Sequence, residues 1–76
     1  HDGFSRAIWP THTPVDGDLI FGLATGKCET PLDHDNAIDL FAIAGATMAR
    51  AVARAVFLAT PAANDLLPTW SQRYGR

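Results

Sequence analysis

A chain of 76 residues and 8.2 kDa holds one small domain at most, and its composition is globular: 47% hydrophobic, 18% charged, 9% aromatic, with a mean hydropathy of +0.02. Those proportions exclude a disordered charged tail, a collagen-like chain and, with Cys28 as the one cysteine, a disulfide-stapled miniprotein. A net charge of −2 and a pI near 5.8 leave no basic footprint for nucleic acid or for an anionic membrane surface.

The sequence opens on His1-Asp2-Gly3, without Met and without a cationic-then-apolar leader, and reads as a piece of something longer. With a lone cysteine there is no sign of an oxidising compartment, and a cytoplasmic setting is expected. Residues 1–9 read as the end of a helix. Phe4, Ala7 and Ile8 fall on one face at i, i+3 and i+4, with Ser5 and Arg6 turned away. Pro10 stops the helix, because its ring and missing N–H cannot continue the ladder. Residues 11–18 are loop and close on Asp16-Gly17-Asp18.

Leu19-Ile20-Phe21-Gly22-Leu23-Ala24-Thr25-Gly26 is the best strand in the chain. Its apolar run does not alternate, so both faces should be covered, as in a central strand. A central strand needs neighbours on both edges, and no second segment of comparable quality exists in these residues. The neighbours are therefore expected from another chain, since unpaired backbone groups would cost more than a small domain's stability.

A second loop over residues 27–35 leads to a long helix capped by Asp35 or Asn36, with Asp39 near the positive end of its dipole. The helix is expected to run to about Thr60, before Pro61. Ile38, Phe41, Gly45, Met48, Val52, Ala55 and Ala59 form one stripe, and Ala42, Ala46, Ala49 and Ala53 form a smooth ridge beside it. Such a ridge lets a helix lie close to a sheet or to another helix. Arg50 and Arg54 mark the polar side; with Asp39 they argue against a membrane span. In the tail, Leu66, Leu67 and Trp70 are apolar enough to dock, and residues 73–76 should lie at the surface.

Few residues carry chemistry. In an extended chain the side chains of Asp16 and Asp18 point the same way, so two carboxylates can converge and handle a proton. The same residues also make an ordinary solvated Asp-Gly turn, which pattern alone favours. Asp33-His34-Asp35 fits a helix-capping segment better than a metal site, because no second ligand cluster follows. His12 has no local nucleophile to serve. Cys28 sits between Lys27 and Glu29, whose charges oppose each other, and reads as a small loop residue. No nucleophile elbow and no phosphate loop is present, so no cofactor or metal is expected.

The ordered series His1-Asp2-Gly3-Phe4-Ser5-Arg6-Ala7-Ile8, Pro10, His12-Thr13, Asp16-Gly17-Asp18 and Phe21-Gly22-Leu23-Ala24-Thr25-Gly26 resembles the P1 (S58) peptidase family. That family includes the L-aminopeptidase/D-amidase-esterases, the β-peptidyl aminopeptidases and the nylon-oligomer hydrolases. The match covers about the first third of the chain; the Ala-rich helix with Arg50 and Arg54 agrees more loosely.

The resemblance implies an α+β fold, a piece of a four-layer α-β-β-α sandwich completed by a larger subunit cut from the same precursor. It implies an amide-bond hydrolase whose nucleophile is the N-terminal Ser or Thr of the small subunit, its own α-amine acting as base. That nucleophile lies upstream of the matching His-Asp-Gly segment, hence outside these residues. Where several members have Ser-x-Glu, Asp16 and Asp18 look like the nylon-oligomer hydrolase branch. There the two carboxylates would lie beside the nucleophile, orient its hydroxyl and ammonium, and relay protons. The expected substrate is a linear amide such as an aminohexanoate oligomer, the expected assembly a homo-oligomer of αβ units, with neither nucleic acid nor membrane as partner. Two rivals remain: an aminopeptidase acting on β-amino or D-amino N-termini, and a non-catalytic helical interaction fragment.

Overall fold

Three helices make up the regular structure of the computed structural model, which describes residues 1–75: α1 (Asp2–Ala7), α2 (His34–Leu58) and α3 (Trp70–Tyr74). α1 ends at Ala7, short of the Trp9 bound read from the sequence. The Ile8 N–H donates to the Phe4 carbonyl at 2.8 Å, Ile8 itself is extended, and Pro10 follows.

α2 begins earlier than the sequence reading placed it. Asp33 is the N-cap, and its Oδ1 accepts from the Asn36 N–H at 2.7 Å. Capping from Asp33 rather than Asp35 or Asn36 adds less than one turn and leaves Asp35 in the first turn, against the positive end of the dipole. Asp39 consequently sits in the second turn. At the other end α2 stops at Leu58, short of Thr60, with Ala59 already at ψ 135°. Proline disfavours the helical region for the residue before it, so the helix is released upstream of Pro61. By length and apolarity α2 is long enough to cross a membrane, with a mean hydropathy of 1.5. Asp39, Arg50 and Arg54 on the same helix are the residues that oppose a lipid-exposed span.

α1 packs across α2, and Gly3 is the one buried residue among those described. Of the apolar stripe on α2, the central part is half-buried (Gly45, Met48 and Val52), while Ile38 and Phe41 are 56% and 69% exposed. The tail differs from expectation. Leu66 and Leu67 do not dock and are 97% and 80% exposed. Instead α3 forms beyond them, and Trp70 turns back to Phe57 at a ring separation of 6.5 Å. Thr69 and Gln72 close a capping box, and Gly75 ends the helix at φ 77°.

Residues 19–26 form no strand. Leu19, Phe21 and Leu23 are 71%, 87% and 94% exposed, not covered on both faces. The physical reason is the one that made the strand reading conditional: a strand exists only through its ladder, and these residues supply no neighbour. The whole chain shares this condition. No hydrophobic side chain is buried among the described residues. The accessible surface is 7082 Å², against about 4500 Å² for a folded monomer of this mass. The radius of gyration is 16.5 Å, against roughly 11 Å for a compact domain of this length.

Candidate functional site

The loop that leaves α1 carries both candidate carboxylates. After Pro10 the chain passes through His12, whose φ of 58° is left-handed, and brings its ring to 5.0 Å from that of His1. A turn follows. The Asp16 N–H donates to the Thr13 carbonyl at 3.0 Å, and the Thr13 N–H donates to Asp16 Oδ2 at 2.7 Å. These reciprocal bonds fix Asp16 at the end of its own turn, and Pro14 suits the turn's second position because its φ is preset.

Asp16 and Asp18 are both exposed. One oxygen of Asp16 is committed to Thr13, and the other remains able to accept from an incoming ammonium or hydroxyl. A carboxylate oriented by a backbone N–H but open on one side is suited to hold such a donor in place and to take its proton. The turn reading of Asp16-Gly17-Asp18 and the proton-handling reading are therefore compatible. The local turn orients the acid that chemistry would use.

The other candidates are placed as follows. Asp33 is spent on capping α2, and His34 and Asp35 lie in its first turn, as the capping reading expects. Among the described residues no three His, Cys, Asp or Glu side chains come together. Cys28 is exposed. Hydrogen bonds from Thr30, first its backbone and then its side chain, hold the thiol below its usual value. Thr30 is the partner that inspection of Lys27 and Glu29 did not reveal.

A groove of about 450 Å³ opens between the three helices, lined by Ala7, Ile8, Val52, Val56, Phe57 and Trp70. Sequence reasoning missed it because α3 was not expected. The signal was present as Thr69-Trp70-Ser71-Gln72, a capping-box spacing ahead of aromatic residues.

No protein-family model matches the chain, and no solved structure matches it. The chain is 37% identical, over 97% of its length, to proteins named uncharacterized aminopeptidase from Mycobacterium bovis and Mycobacterium tuberculosis. A protein of the same name from Mycobacterium leprae is 38% identical over 91% of the chain. The chain spans 24% of the first two and 21% of the third, about a quarter of these relatives. The name these relatives carry is that of a peptidase.

Proposed function

We propose that this chain is the small-subunit part of a self-processing amide hydrolase, in which Asp16 and Asp18 serve an N-terminal Ser or Thr nucleophile that lies outside these residues. The nucleophile attacks the amide carbonyl, the C–N bond breaks, and the amine leaves with a proton. Water then releases the acyl group and regenerates the hydroxyl. Asp16, oriented by Thr13 with one oxygen free, is suited to hold the nucleophile's ammonium, and Asp18 to share the proton.

The observation that carries this reading is the 37% identity to proteins named aminopeptidase across nearly the whole chain. The exposed run at residues 19–26 and the absence of a buried apolar side chain among the described residues give it physical support. Both are what a segment looks like when its sheet neighbours belong to a larger subunit, and the four-layer sandwich is the arrangement we infer. Two substrate readings follow. Asp-x-Asp favours ω-amino oligoamides such as aminohexanoate oligomers; the relatives' names favour an aminopeptidase, for which β-amino or D-amino N-termini are the substrates we infer.

The test is to express the full-length protein, determine its subunit masses and N-termini, and assay two substrate sets. A small chain that begins on Ser or Thr upstream of His1, with a larger companion, is the expected result. Cleavage of amine-blocked aminohexanoate oligomers would select the oligoamide reading, and activity only on free-amine substrates would select the aminopeptidase. A 76-residue chain that folds stably with no companion would overturn the proposal in favour of a helical interaction fragment.

A further inference from the structure

α1 lies against one side of α2, where Gly45 and Met48 meet Gly3 and Val52 lines the groove with Ala7 and Ile8. α3 lies against the end of α2, at Phe57. The side of α2 opposite α1 carries its charges. At about 100° per residue, Asp35, Asp39, Arg50 and Arg54 fall within roughly 100° of one another, and all four are exposed. Ile43 and Ala46 sit between them on that side, with Ile43 63% exposed. The strip thus has an acidic end, a small apolar middle and a basic end.

The charges are ordered along the helix axis. Asp35 and Asp39 are four residues apart, as are Arg50 and Arg54, a spacing of about 6 Å in each case. Neither arginine has an acid three or four residues away on α2, and at i and i+4 the two repel each other. They flank a depression of about 350 Å³ with Thr47 and Ala51, open to an incoming anionic group.

Equal spacing allows one arrangement in which every charge is matched. When two copies of α2 run antiparallel about a two-fold axis between Ala44 and Gly45, Asp39 faces the partner's Arg50 and Asp35 faces the partner's Arg54. Ile43 then falls opposite the partner's Ala46, a large side chain against a small one. Parallel pairing in register would set acid on acid and arginine on arginine, so the charges also select the direction.

We propose that this face of α2 is a two-fold interface between two copies of the chain, closed by four Asp–Arg pairs across an Ile43–Ala46 middle. The same patch serves both copies, as a two-fold interface requires. It belongs to the full-length protein whether or not that protein cleaves itself, and so stands or falls separately from the proposed hydrolase.

The test is sedimentation of the full-length protein over a range of concentrations. Arg50→Ala combined with Arg54→Ala keeps good helix formers and removes all four pairs. Self-association should weaken by about tenfold or more, since exposed pairs contribute little singly but here act together. Raised salt should weaken it as well, and Arg6→Ala, which removes a charge from α1, should not. Two charge-reversed proteins complete the test, one with Asp35→Lys and Asp39→Lys, the other with Arg50→Glu and Arg54→Glu. Each should associate poorly alone, and the two should pair when mixed, because the mixture matches every charge again. A full-length protein that stays a single unit, or association indifferent to the alanine variant, would overturn the proposal. So would two folded charge-reversed proteins that fail to pair, which would leave the face to a different acidic partner.

Discussion

Gly3 lies so close to Gly45 that a Cβ placed on Gly3 would sit 2.6 Å from the Gly45 carbonyl oxygen and 2.6 Å from Met48 Cβ. This contact is where α1 meets α2, and it is asymmetric. A Cβ on Gly45 would find the Gly3 nitrogen 4.0 Å away, an ordinary van der Waals distance.

The two glycines should therefore respond in opposite ways to alanine. Gly3→Ala forces backbone to move and should cost about 1–3 kcal/mol, the range for overpacking. Gly45→Ala should be neutral or stabilising by about 0.5–1 kcal/mol, because alanine loses less freedom in a helix. Thermal unfolding of the full-length protein checks both, and equal melting temperatures for the two variants would remove the close crossing.

Asp33 and Asp35 make a second contrast. Asp33→Ala deletes the acceptor that holds the Asn36 N–H and should cost about 1 kcal/mol. Asp35→Ala removes only a favourable charge from the first turn and should cost a few tenths of that, roughly 0.3–0.5 kcal/mol. A larger loss from Asp35 in thermal unfolding would move the cap back to where the sequence alone suggested it.

For the carboxylate pair, charge and loop geometry can be separated. Asp16→Asn keeps an oxygen for the Thr13 N–H but loses the charge, so the turn should survive. On the proposed function, Asp16→Asn and Asp18→Asn should each slow self-cleavage and amide hydrolysis by about a hundredfold or more. The readouts are the rate of precursor loss and kcat, with far-UV circular dichroism to show that the fold is kept. Wild-type rates in both variants would deny the pair its role.

Cys28 offers a pH-dependent check. Thr30 hydrogen bonds favour the thiolate and lower the thiol's titration point, so at neutral pH a larger fraction is reactive than for a free cysteine. Thr30→Val keeps the backbone donor but removes the hydroxyl. The alkylation profile of Cys28 should then shift to higher pH and the rate at neutral pH should fall. An unchanged profile would mean that the side-chain bond contributes nothing.

The local features of this protein were legible in its residues. The face of Phe4, Ala7 and Ile8, the stop at Pro10 and the long apolar helix before Pro61 all follow from spacing and from the chemistry of proline, which act over three or four residues. The cap at Asp33 and the box at Thr69 and Gln72 were also written locally but have competitors nearby: Asp35 and Asn36 in one case, an apolar tail in the other. The run at residues 19–26 was legible only as a need. Its composition asks for a ladder, and composition cannot supply a neighbour.

Sequence by itself therefore determined that a short helix precedes Pro10 and a long one precedes Pro61, and that this chain leaves apolar surface uncovered. Tertiary structure alone decided that Gly3 rather than Gly45 is the crowded partner, that His12 meets His1, and that Trp70 closes a groove with Phe57. Helix position is set by neighbours along the chain, whose geometry is fixed by covalent spacing. Which residues touch across elements depends on the crossing of α1 over α2 and on one left-handed residue, and neither has a counterpart in local spacing.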